Sequence, residues 1–300
     1  MSKTTHELPQ GIHEIRDLPD PQLSAMWNSI VIDESQKAQL LSQAVVNFTV
    51  RPKVDRSVLP LHGVILLVGA PGTGKTTLAR GLAGRVAEIY KAKGLRLLEV
   101  EPHSLTSSAM GKTQRAVSEL FSQSIAESAM NGPTIVLLDE VETLVADRSK
   151  LSLEANPIDV HRATDAVLVQ LDLLAERHPN LLFLATSNFP DAIDSAFTSR
   201  CDLVMKIALP GELACEQILT ACLDGLGKTF PAIGKLTGSN EFKRCAREFV
   251  GLDGRSIRKA VASALASSPQ VAVDPNQLTL QHLAQAASSS KAHRNVGAKA

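Results

Sequence analysis

Glycine, lysine and threonine crowd one short run, Gly69-Ala70-Pro71-Gly72-Thr73-Gly74-Lys75-Thr76-Thr77. Glycines let a backbone curl so that several N–H groups point inward, a concavity that suits an anion. In the order G-x-x-x-x-G-K-T, Lys75 can reach the β- and γ-phosphates of a nucleotide and the Thr76 hydroxyl can ligate Mg²⁺. Further on, the apolar run Thr134-Ile135-Val136-Leu137-Leu138 ends in Asp139-Glu140. Asp139 suits the Mg²⁺ shell, and Glu140 suits the orientation and deprotonation of an attacking water. Glu142 reads as a solvated helix residue.

Three further groups fit the same chemistry. Asn188 closes the run Thr186-Ser187-Asn188, where its amide would point between γ-phosphate and water; a turn-forming asparagine is the plainer alternative. Arg200 precedes a strand and would neutralise charge developing in phosphoryl transfer on a neighbouring subunit's nucleotide; the alternative is an ion pair with Asp202. Arg255 opens a helix and could reach the γ-phosphate from across a domain junction; its alternative is an exposed helix-start arginine.

The elements that must hold these groups are legible from pattern. Val64–Val68 is a short branched apolar run, the mark of a buried parallel strand, and Thr77–Ala83 has helical spacing. Strand, loop and helix therefore give the glycine run its required context. Further strands are expected at 95–100, 134–140, 181–186 and 203–207, alternating with helices. This predicts an α/β fold with a five-stranded parallel sheet sandwiched by helices. Residues 1–21 carry Pro9, Pro19 and Pro21 and read as an arm. Trp27 reads as a core anchor, and Asp33 with Gln36 as a capping box. The ATPase domain would span 22–210. Beyond Pro210-Gly211 the strands stop, so 211–287 reads as a small helical lid and 288–300 as a disordered tail.

Composition narrows the class. Lys plus Arg and Asp plus Glu number 31 each, so net charge is zero, and aromatics are 3%. Both argue against a general nucleic-acid surface or a base-stacking platform. The four cysteines form no C-x-x-C and the eight histidines no H-E-x-x-H, against a disulfide framework or a metal-only site. No run approaches membrane-spanning length and the first residues lack a signal core, so a cytoplasmic protein is expected.

These motifs, in this order, resemble the AAA+ ATPases. The closer likeness is to the pachytene-checkpoint remodellers, the thyroid-receptor-interacting-protein-thirteen group, which act on HORMA-domain proteins. It is carried by Trp27–Asp33, His103-Ser104-Leu105, Leu138–Leu144, Ala166–Asp172, Thr186-Ser187-Asn188, Asp194–Phe197 and Gly251-Leu252-Asp253-Gly254-Arg255. The resemblance implies an AAA+ P-loop NTPase that hydrolyses ATP with Mg²⁺ as a homo-hexameric ring. Gly69, Pro71, Gly72, Thr73, Gly74, Lys75, Thr76, Thr77 and Asp139 would bind nucleotide, with Thr76 and Asp139 on the metal. Glu140 would activate water, Asn188 and Arg255 would act as sensors, and Arg200 would be a finger supplied in trans.

A substrate pore loop would fall at Ala109, Met110 and Gly111, and a second near 148–159 with His161. Such a ring pulls on an extended peptide, typically the partner's N-terminal segment, and partly unfolds it. Where the family's loop usually presents an aromatic, Ala109-Met110 stand here, which implies a weaker grip. The short stretch before the glycine run leaves no room for the family's adaptor-binding N-terminal domain, so direct engagement of a HORMA protein is expected. Short members of this kind resemble those of bacterial antiphage systems, in which the HORMA protein activates a cyclic-oligonucleotide synthase and the ring switches it off. An ATP-gated binding scaffold and a DNA-associated loader are the alternatives.

Overall fold

The computed structural model describes residues 8–91, 93–105, 112–147 and 157–297; of 157–160 and 293–297 it describes the backbone only. The chain divides into two compact units, Met1–Gly69 with Lys75–Lys206, and Ala70–Gly74 with Ile207–Ala300.

The first unit is built on strands β1 (Ile12–Asp17), β2 (Val64–Val68), β3 (Arg96–Val100), β4 (Thr134–Leu138), β5 (Leu181–Ser187) and β6 (Leu203–Lys206). Their order in the sheet is β1-β3-β4-β5-β2-β6. Strands β2 to β6 pair in parallel, and β2, β4 and β5 are buried along their whole length, as a sheet covered on both faces requires. The sheet has six strands rather than the expected five. The extra one, β1, lies antiparallel to β3 at the edge, inside the stretch expected to be an arm. Its residues alternate between covered and exposed, because an edge strand buries one face only. Pro9, Pro19 and Pro21 flank that strand instead of interrupting it.

Helices α1 (Pro21–Ser29) and α2 (Glu34–Thr49) precede β2, and α3 (Lys75–Tyr90) follows the glycine run. Asp33 caps α2 by accepting the Ser35 N–H at 2.7 Å. Gln36 does not close a capping box; its amide reaches the Lys206 carbonyl at 3.5 Å. Trp27 is buried in α1, and α1 lies directly on α3. A Cβ at Gly81 would stand 2.5 Å from the Trp27 backbone nitrogen, so only glycine permits this approach. Next come α4 (Lys112–Glu119), a π-helical stretch over Leu120–Ile125, α5 (Ala126–Asn131), α6 (Pro157–Arg177) and the short α7 (Ser195–Thr198). Val117, Leu120, Phe121 and Ile125 join β3, β4 and β5 in one continuous core.

The second unit holds α8 (Glu212–Gly227), α9 (Pro231–Gly234), α10 (Asn240–Arg247), α11 (Gly254–Leu265), α12 (Pro269–Val273) and α13 (Leu280–Gly297). Helix α13 continues to Gly297, through most of the stretch expected to be a disordered tail.

Candidate nucleotide site

In a parallel sheet the loops after each strand gather at one end. Here β2, β4 and β5 are adjacent, so the groups following them meet by construction. Lys75, at the start of α3, is 5% exposed, and its Nζ donates to the Gly69 carbonyl at 2.9 Å and to Asn188 Oδ1 at 2.8 Å. Asn188 in turn donates from Nδ2 to Glu140 Oε1 at 3.0 Å. The Thr76 hydroxyl donates to Asp139 Oδ1 at 2.8 Å. Thr186 also donates to Asp139 and accepts the Glu140 N–H at 3.2 Å, tying the end of β4 to β5. Glu140 sits in the left-handed region at φ +53°, an uncommon conformation for a residue with a side chain. That twist turns its carboxylate toward Asn188 rather than along the strand. Lys75, Thr76, Asp139, Glu140 and Asn188 thus form one connected cluster.

The donor set fits Mg²⁺ and a triphosphate. Gly72 and Gly74 adopt φ of +82° and +93°, the curl that turns loop N–H groups inward. Mg²⁺ takes one or two protein oxygens and completes its shell with phosphate and water. Thr76 and Asp139, already in contact, are such a pair. Among the described residues no group of three or more His, Cys, Asp or Glu is arranged to hold a metal by itself.

Several members of the site are not apparent from the motifs. Glu142 is half-buried rather than solvated: Oε1 accepts the Asn188 N–H at 3.0 Å and Oε2 is buried without a partner. It holds the backbone that presents the Asn188 amide. His103 donates from Nε2 to Glu140 Oε2 at 3.1 Å. Arg80 clasps the buried Glu99 with both carboxylate oxygens engaged. His103, Arg80 and Glu99, with His13, Glu101 and Asp139, line a cavity of about 300 Å³ beside Glu140. The His-Ser-Leu stretch marked His103 in the sequence without its partner; for Glu142 only its closeness to Glu140 could have hinted.

Arg200 is not brought to this cluster. Its guanidinium grips Asp172 of α6 at 2.9 and 2.7 Å and donates to the Ala196 carbonyl at 2.8 Å. Each partner favours the other's charge: Arg200 holds the Asp172 carboxyl below its usual range, and Asp172 raises Arg200. His62 also meets Asp172, at 3.4 Å, with its own proton affinity lowered mainly by burial. The ion pair is therefore with Asp172, not Asp202, whose carboxylate instead accepts the backbone N–H groups of His62, Gly63 and Val64.

Within the second unit, Asp253 caps α11, and the Arg255 N–H donates to the Gly72 carbonyl at 3.3 Å. A Cβ at Gly72 would stand 2.2 Å from Asp253 Oδ1. Thr73 donates to the Ala70 carbonyl at 2.9 Å, closing the tip of the glycine run. Ala109, Met110 and Gly111 lie outside the described residues, as does 148–156. His161 is on α6, half-buried.

The family described as "ATPase family associated with various cellular activities (AAA)" matches residues 65–209. CD-NTase-associated protein 6 of Pseudomonas aeruginosa is 71% identical over 292 residues, 97% of this chain and 96% of that protein. The pachytene checkpoint protein 2 homolog of Xenopus tropicalis is 32% identical, over 86% of this chain and 65% of its own length. The Gallus gallus homolog is 34% identical over 70% of this chain and 50% of its own length, so the chain spans only part of these eukaryotic relatives.

Among solved structures, a chain of the E. coli HORMA:CdnC:Trip13 complex superposes with a TM-score of 0.77 at 17% identity, over 92% of this chain and 94% of that one. C. elegans PCH-2 does so with a TM-score of 0.69 at 25% identity, over 94% and 75%. With near-complete coverage at high identity and a phosphate loop backed by an acidic strand end, the chain belongs to the AAA ATPase family, in its pachytene-checkpoint group.

Proposed function

We propose that this chain is an ATP-driven remodeller of a HORMA-domain protein, working as a homo-hexameric ring that draws on the partner's N-terminal segment and partly unfolds it. The observation that carries the reading is the 71% identity, over nearly the whole of both chains, to CD-NTase-associated protein 6. The linked cluster of Lys75, Thr76, Asp139, Glu140 and Asn188 supports it from the side of chemistry. A cyclic-oligonucleotide synthase is the indirect partner, switched off when its HORMA activator is opened. The protein works in the cytoplasm; no described helix is long and apolar enough to cross a membrane.

ATP with Mg²⁺ supplies the phosphoanhydride to be split and the charge neutralisation that makes it labile. Lys75 exchanges Asn188 for the β- and γ-phosphates. Thr76 and Asp139 hold the metal. Glu140 accepts the proton of the attacking water, and Asn188 orients that water. Arg200, leaving Asp172, stabilises the charge at the next subunit's site, and Arg255 senses the γ-phosphate. Ala109, Met110, Gly111 and His161 grip the peptide.

The test is capture followed by conversion. Glu140→Gln protein with ATP should retain a HORMA-domain protein on a pull-down, and wild-type protein with ATP should convert it. Equal conversion with a non-hydrolysable analogue would favour an ATP-gated scaffold instead.

A further inference from the structure

Arg200, which the reading above sends to the next subunit, is fully engaged at home. Nε and Nη2 donate to the two oxygens of Asp172 at 2.9 and 2.7 Å, and Nη1 donates to the Ala196 carbonyl at 2.8 Å. All three guanidinium nitrogens are thus occupied within one chain. The backbone beneath them is fixed. The Arg200 N–H donates to the Phe197 carbonyl at 3.0 Å, Phe197 is fully buried, and Asp194 caps α7 by accepting the Ala196 N–H at 2.8 Å. The long side chain, not the backbone, is then the part that can carry the charge from one partner to another.

Asp172 is placed to let go. Its side chain is 41% exposed, and two further groups attend it. His62 Nε2 lies 3.4 Å from Oδ1. Arg56 donates to the Asp172 backbone carbonyl at 3.4 Å, and its charge also favours the carboxylate. A buried carboxylate stripped of its sole partner resists release, because an uncompensated charge in a dry site is costly. This one keeps solvent, His62 and Arg56 when Arg200 departs. A two-pronged arginine–carboxylate pair is nevertheless the strong kind of charged hydrogen bond, so the held state predominates. A group free for only a fraction of the time acts with its strength reduced by that fraction. We propose that Asp172 is a positioning residue that sheathes the arginine finger: it holds the Arg200 guanidinium inside its own subunit and sets the fraction of time for which the neighbouring site can draw on it. This role rests on Arg200 being the finger. It makes the pair a brake on hydrolysis carried by each subunit, apart from the base and the metal pair.

The experiment measures phosphate release by full-length protein without a partner protein, at concentrations where light scattering shows ATP-dependent assembly to be complete. It separates kcat from KM for ATP and records the melting temperature at neutral pH. Asp172→Asn and Asp172→Ser remove the charge, and Asp172→Glu keeps it. At least one of the first two should raise kcat about threefold to tenfold, the scale of one half-exposed charged hydrogen bond, with KM unchanged and a lower melting temperature. Asp172→Glu should return kcat toward wild type. A pair that served stability alone would lower the melting temperature with no gain in kcat. If neither charge-removing variant turns over faster while Arg200→Ala is inactive, the sheath is overturned and the finger stands. An Arg200→Ala enzyme with undiminished turnover overturns both.

Discussion

In the proposed mechanism Lys75 is the charge on which nucleotide binding turns. It is almost wholly buried, and it donates to the Gly69 carbonyl and to the Asn188 amide oxygen. Such an ammonium gains most from an incoming polyphosphate. Lys75→Ala should weaken ATP binding by about a hundredfold or more, read by equilibrium titration with a fluorescent nucleotide. Glu140→Gln should bind ATP as before and lose about 10²- to 10⁴-fold in turnover, the range for a positioned base. Glu142 acts one step back, through the Asn188 N–H. Glu142→Ala should lower kcat more than it raises KM, because the amide it places serves the reacting water more than the bound phosphates.

Asp172 gives a pH signature. Its folded carboxyl titrates below the ordinary 3.8 because Arg200 pairs with it. A carboxyl depressed by folding contributes stability above its unfolded pKa and loses it as pH falls through the folded value. Wild type should therefore melt above Asp172→Asn at neutral pH, and the gap should close as the pH drops below about 4.

At the scale of elements, the crossing of α1 and α3 is the most constrained contact. Gly81 meets backbone of Trp27, which cannot swing aside as a side chain could. Gly81→Ala should cost about 1–3 kcal/mol through overpacking, seen as a lower denaturant midpoint with an unchanged slope. The edge strand β1 shows how two elements share one task. It covers one side of β3 and clamps the turn after β3 through Gly11. Its alternating, half-polar residues between prolines resemble an irregular lead-in until a neighbouring strand supplies the missing hydrogen bonds.

At the scale of the whole molecule, the proposed ring makes the finger testable. Arg200→Ala and Glu140→Gln proteins, each inactive alone, should recover part of the wild-type turnover when mixed, because some interfaces would pair an intact base with an intact guanidinium. A mixture as inactive as its components would place Arg200 in a purely structural role with Asp172. The same logic predicts ATP-dependent growth in mass by light scattering, abolished by Lys75→Ala.

The glycine run, the acidic strand end and Asn188 could all be read without coordinates, because each follows an apolar strand and a parallel sheet sends such ends to one place. Local spacing therefore determined the phosphate loop, the candidate metal pair and the candidate base. Tertiary structure decided the rest: the sixth strand, the partner of Arg200, the burial of Glu142 and the grip of His103 on Glu140. Each of these depends on residues far apart in the chain. A side chain's partner is settled by which strands lie side by side, and no pattern of neighbours along the chain encodes that order directly.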